Sequence, residues 1–146
     1  MKGYPTISDK YDVAPAVLEG ATAVGAGELV ALGSTAGRYT AVSSSTAIGA
    51  IAGFCLASNV KVPNTYPAST ADQSYVAGDA FNLMIKGFIA APVKLSDAET
   101  ITNGQAVYVM IGGVAAGAIT VSGHTEASGS ATQLPGAFYT GLVETV

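Results

Sequence analysis

The residues able to do chemistry are few and far apart. The chain has one histidine and one cysteine. His124 lies in Val121-Ser122-Gly123-His124-Thr125-Glu126, whose composition is that of an exposed loop. A Ser/His/acid triad is defined by geometry and not by sequence order, but no Gly-x-Ser-x-Gly elbow accompanies this histidine. Cys55 sits in the apolar run Ile51-Ala52-Gly53-Phe54-Cys55-Leu56-Ala57 and reads as a small buried hydrophobe. One histidine and one distant cysteine do not make a zinc site without carboxylates. Asp97 with Glu99, or Asp9 with Asp12, would offer oxygens to calcium. Both pairs read more simply as turns between strands. No catalytic residue, metal or cofactor is expected.

Other ligand classes find no better support. Gly20–Gly27 is rich in glycine but lacks the Lys-Ser/Thr ending and following helix of a phosphate-binding loop. The six basic residues, Lys2, Lys10, Arg38, Lys61, Lys86 and Lys94, stand singly in a chain of net charge −4. Nucleic-acid binding requires a basic stripe to neutralise phosphates, so no nucleic-acid partner is expected. Phe54, Phe81, Phe88 and Phe138 are expected in the core.

The elements around these residues are strands. Gly interrupts nearly every window of helical period. Only single turns near Val13–Gly20 and Ser96–Thr100 are helix candidates. Short runs of Val, Ile, Thr, Tyr and Phe are instead bounded by Gly, Asn, Asp and Ser, the pattern of a sandwich or barrel. One frame recurs at Gly27-Glu28-Leu29-Val30, Gly78-Asp79-Ala80-Phe81 and Gly104-Gln105-Ala106-Val107. Glycine permits a turn at positive φ, the polar side chain satisfies loose backbone donors, and a strand follows. The first and third copies continue as hairpins, Val30–Leu32 with Arg38–Val42 and Val107–Ile111 with Val114–Val121. Each then reaches a further apolar segment, 48–56 or 136–143. The result is one hairpin-plus-return-strand design used twice. The fold class is all-β, a β-sandwich or jelly-roll-like barrel of short antiparallel strands with an extended N-terminal arm. Residues 1–24 form that arm and 25–146 a single β-domain.

Charged residues make up 11% of the 146 positions, against about 25% in an ordinary soluble domain. A Ser/Thr/Gly/Ala surface can be buried against a partner without stranding charges, which points to life in an assembly. The start, Met1-Lys2-Gly3-Tyr4-Pro5, leads into a polar stretch and not an apolar signal region. Synthesis in the cytoplasm, with no membrane partner, is expected. The arm mixes prolines, acids and isolated aromatics, good anchors for docking. The irregular stretch 59–74, with Pro63, Tyr66 and Pro67, is long enough to be a functional loop.

Gly-Glu-Leu-Val-Ala-Leu at 27–32, Ile48–Phe54, Lys86-Gly87-Phe88-Ile89 and Gly136–Val143 together resemble the cement (decoration) proteins of tailed-bacteriophage heads, over residues 21–146. The resemblance implies a structural, non-enzymatic protein on the outer surface of the capsid in the virion, assembled in the bacterial host. Its partners would be the major capsid protein and itself, as a homodimer or homotrimer. Tyr4, Ile7, Tyr11, Pro63 and Tyr66 are the residues expected to bind the coat, and removing residues 1–15 is expected to weaken shell binding. The alternatives are another virion subunit (tail, baseplate or fibre base), then a secreted β-sandwich adhesin, then an enzyme or small-ligand carrier. Long fibres usually show short repeats, and an adhesin would carry a signal peptide.

Overall fold

The computed structural model describes residues 12–57 and 74–140. Among the described residues it is all-β, with eleven strands and a single 3-10 turn at Ile48–Ala50. The described chain divides into two compact units.

In the first unit, β1 (Asp12–Leu18), β4 (Arg38–Ala41), β3 (Leu29–Leu32), β5 (Ile51–Cys55) and β7 (Ala80–Lys86) close into a five-stranded barrel. Every neighbouring pair is antiparallel except β1 with β4, which is parallel. The exception is a matter of counting. Strands that alternate in direction around a ring must be even in number, so five strands leave one parallel pair. Closure removes the edges that would otherwise template aggregation. A short ribbon of β2 (Val24–Gly25) and β6 (Ser74–Tyr75) adds Val24 and Tyr75 to the same core.

Alternation along each strand fills the interior. Ala16 and Leu18 of β1, Val30 of β3, Cys55 of β5, and Phe81 and Leu83 of β7 form one buried cluster. Phe81 meets Tyr39 edge-on at 6.3 Å and Tyr75 at 5.7 Å between ring centroids. Cys55 is fully buried, as its apolar setting suggests. Gly53 has a steric role, because a Cβ there would collide with the Met84 carbonyl oxygen on the neighbouring strand. Gly53→Ala is therefore expected to destabilise the barrel by about 1–3 kcal/mol. Denaturant unfolding checks this, and an unchanged midpoint would refute the close approach.

The segment Val13–Gly20 is not a helical turn: residues 12–18 are strand β1. The apolar alternation of Ala14, Ala16 and Leu18 suits a barrel wall, and Pro15 is placed where it does no harm. Val17 N–H donates to Gly37 O on the β4 side, whereas Leu18 N–H donates to Asp79 O on the β7 side. Pro15, in phase with Val17, faces the β4 side before that pairing begins at Val17, so no ladder bond is lost. Removing residues 1–15 would take four residues of β1 with it, and only 1–11 precede the barrel.

The second unit is a four-stranded sheet in the order β10 (Thr125–Glu126), β11 (Gly129–Phe138), β8 (Ala106–Gly112), β9 (Ile119–Thr120). Val107, Val109, Met110, Ile119 and Val121 are its buried apolar residues. Both edge strands are two residues long, which limits exposed ladder. β8 is flanked by its hairpin partner β9 and the return strand β11, just as β3 is flanked by β4 and β5. The design read twice in the sequence thus occurs once in each unit.

The recurring Gly-polar frame is a turn. Gly27, Gly78 and Gly104 have φ of 84°, 88° and 82°. The residue after each glycine donates its N–H to the carbonyl three residues earlier, at 3.0–3.2 Å. Positive φ at the third position marks a type II turn. The side chains of Glu28, Asp79 and Gln105 accept the N–H of Gly25, Val76 and Thr102 at 2.8, 3.0 and 3.0 Å.

Of the four phenylalanines expected inside, Phe81 is buried, Phe54 is half-buried, and Phe88 and Phe138 are exposed. Phe88 follows the end of β7. Phe138 stands where β11 rejoins β8 after a register shift between Gln133 and Phe138, and neither position faces a packed layer.

Candidate functional site

Tyr4, Ile7, Tyr11, Pro63 and Tyr66 all lie outside the described residues, as does nearly all of the 59–74 stretch. Their points of attachment are described. Asp12, where the chain enters the barrel, pairs with Lys86 at one end of β7. The exit lies towards the other end, where Leu56 N–H donates to Asn82 O at 2.9 Å before the chain leaves the described barrel after Ala57. The chain returns at Ser74 and passes through the 76–79 turn into Ala80. The seven residues of β7 span about 20 Å. The two attachment points, against Lys86 and Asn82, therefore lie four residues, about 13 Å, apart along β7.

The concentration of polar side chains belongs to the second unit. His124 is 4% exposed, not the exposed loop residue its neighbours imply. Its backbone N–H closes a turn on Val121 O at 3.4 Å, with Gly123 at φ 82°. This Gly123-His124-Thr125 step repeats the Gly-polar-strand frame and launches β10. That repetition is the sequence signal that could have placed His124 at a turn, but it does not reveal what the ring meets.

His124 Nδ1 lies 2.6 Å from Glu99 Oε2, and Nε2 lies 3.5 Å from Glu126 Oε1. Lys94 Nζ holds the same Glu126 oxygen at 2.7 Å. The Ser96 N–H, donated at 2.8 Å, holds the Glu99 carboxyl below the usual carboxylate range, with His124 adding to the effect. Lys94 does the same for Glu126. Around this group, Thr120 donates its hydroxyl to Lys94 O at 2.7 Å, and Tyr139 donates its own to Thr120 O at 2.7 Å. Burial pushes the Tyr139 hydroxyl up to about 12, so it remains a donor at all ordinary pH values.

This arrangement ties segments together. The Glu99 carboxylate accepts from the Ser96 N–H and meets His124, so it caps a turn. Among the described residues, no group of three or more His, Cys, Asp or Glu is placed to hold a metal. A shallow depression of about 290 Å³ over the β1/β7 ladder, lined by Pro15, Val17, Gly37, Ala80 and Asn82 among others, bears no titratable side chain. Among the described residues no helix is long and apolar enough to cross a membrane.

The family model described as "Structural cement protein (E217 gp24/Pam3 gp6)" matches residues 3–145. No curated protein matches the chain.

Proposed function

The chain belongs to the structural cement proteins of tailed phages, and from that membership we propose that it binds the outside of the head and bridges neighbouring major coat subunits. A capsid cement role and association with shell proteins are properties of the family. The bridging is our reading, and the observation that carries it is the separation of the two attachment points along β7. Contact segments rooted apart on one barrel reach different coat subunits more readily than segments rooted together. Each contact can be modest, because the first raises the effective concentration of the second by a linker-dependent amount. A stable contact buries on the order of 1,200–2,000 Å² in total. The low charge of the chain limits the desolvation such burial would incur.

Tyr4, Ile7 and Tyr11 are the proposed anchors on the N-terminal side, and Pro63 and Tyr66 those in the loop. The protein acts by binding, without catalysis, is assembled onto the shell in the host cytoplasm, and pairs with itself as a homodimer or homotrimer. Cryo-electron microscopy of the particle tests the reading. Regular outer-surface density over junctions between coat subunits is the expected result. Density contained within the footprint of one coat subunit would exclude bridging.

A further inference from the structure

The two units differ at their sheet edges. The first is closed into a barrel, so its return strand β5 has β7 along the side away from β3, with Phe54 opposite Met84 and Cys55 opposite Leu83. In the second unit the outer side of β9 is covered: Val93 bridges Ile119 in parallel, and Lys94 N–H donates to Ile119 O at 2.8 Å. The outer side of the return strand β11 is not. β10 meets it only at Gly129 and Ser130, whereas β11 runs on to Phe138.

Alternation decides which backbone groups this leaves facing outward. Met110 N–H donates to Ala118 O, and its carbonyl accepts the Gly117 N–H, both at 2.9 Å, so Met110 faces the β9 side. Val109 and Ile111 then face β11, where they pair with Thr132 and Ser130. Ala131 and Gln133 must turn their N–H and C=O groups the other way, beyond the last β10 pair. Among the described residues no strand pairs with that side of either. His124, next along from Thr125, turns its N–H back to Val121 O instead. Natural edges are guarded by charges, prolines or bulges. Here Pro135 and the register shift come only after Gln133, and 131–133 carries no guard.

We propose that this edge is a two-fold contact between two copies of the chain, with β11 pairing antiparallel to β11 of the second copy about an axis through Thr132. The inference rests on the self-association put forward above, commits it to a dimer and names its surface. Ala131 of each copy exchanges both backbone bonds with Gln133 of the other, and the two four-stranded sheets become one. Such a contact is isologous and closes on itself. Charge favours a second copy over a strand of another protein. A two-fold axis sets a segment against itself, and like charges directly opposite are destabilising. No charged residue occurs between Glu126 and Glu144. Length favours it too. An incoming strand that continued past Ser130 would run into β10, but β11 itself leaves register after Gln133, so each copy turns away before reaching the other's β10.

Thr132 directs its own backbone bonds to β8, so across the axis it meets its counterpart as a non-hydrogen-bonded pair, with Cα atoms roughly 4.5 Å apart. That spacing suits a disulfide. Cys55, the one native cysteine, is buried. The intact Thr132→Cys chain under mild oxidation should therefore run as a covalent dimer on a non-reducing gel. Ser122→Cys, at an exposed turn position outside the edge, should not. Gln133→Pro deletes an outward N–H that the fold does not use, and sedimentation should show its dimer weakened by at least about tenfold. Wild-type chain that sediments as a monomer at every concentration would remove self-association itself. A dimer that fails to cross-link at position 132, cross-links equally at 122, or is unchanged by Gln133→Pro would leave self-association standing and overturn this edge as its surface. The cross-linking arm leaves the backbone intact, so a Gln133→Pro chain that fails to fold does not remove the test.

Discussion

A chain lacking residues 1–11 should fold with an unchanged thermal midpoint and lose at least about 100-fold in affinity for the expanded shell. The first half follows from the barrel. Its first strand begins at Asp12, and Ala16 and Leu18, the core residues of β1, stay in place. The second half follows from linkage: a second contact made by an already bound molecule adds roughly 10²–10⁴ to overall binding, and cutting one root of the bridge forfeits that gain. A cut at residue 15 would confuse the two effects by removing half of β1. Occupancy measured on shells incubated with the truncated and full-length chains decides the matter. Equal occupancy would leave the loop between residues 57 and 74, or the barrel surface itself, to carry the contact. Should occupancy fall, separate Tyr4→Ala and Tyr11→Ala chains would show which arm side chain carries the loss.

The largest expected loss of stability comes from Leu83→Ala. Leu83 is 1% exposed in the cluster with Leu18, Cys55 and Phe81, and a Leu→Ala change at such a site costs about 2–5 kcal/mol in lost transfer energy and residual cavity. A barrel this small has no second core to absorb the void, and each kcal/mol moves the midpoint of a small domain by roughly 4–8 °C. Leu32→Ala is the matched control. Leu32 pairs with Tyr39 but is 60% exposed, so its truncation should stay within about 0.5 kcal/mol. Equivalent losses at the two leucines in urea titrations would show that the interior is not where the register puts it.

Much of this protein is local, and what is local was legible in the residues. The turn at 25–28 needs only a glycine at positive φ and a side chain that reaches back three residues, so Gly27 and Glu28 announce it before any tertiary contact is known. The copies at 76–79 and 102–105 do the same. Alternation along Leu29–Leu32 and Ala106–Gly112, with glycines between the strands, marks the two hairpins for the same reason. The all-β class and the doubled hairpin-and-return design could therefore be read directly. The segments 27–32, 48–54, 86–89 and 136–143 carried the family resemblance.

Only the tertiary structure decided what depends on long-range pairing. Val13–Leu18 contains a proline and a short apolar cluster that suit a turn as well as a strand. Pairing with Ala80–Met84, far along the chain, selects the strand. The parallel β1/β4 contact arises from closing an odd number of strands, which no single segment encodes. His124 lies 25 residues from Glu99 among serines and glycines that read as surface. Its burial follows from the 94–99 segment meeting the 121–124 turn. Phe88 and Phe138 are exposed because hydrophobicity makes burial favourable without supplying a layer to bury against. Local sequence selects turns and strands through contacts three or four residues long. The neighbours of a side chain are chosen by strand order and register, which belong to the whole chain.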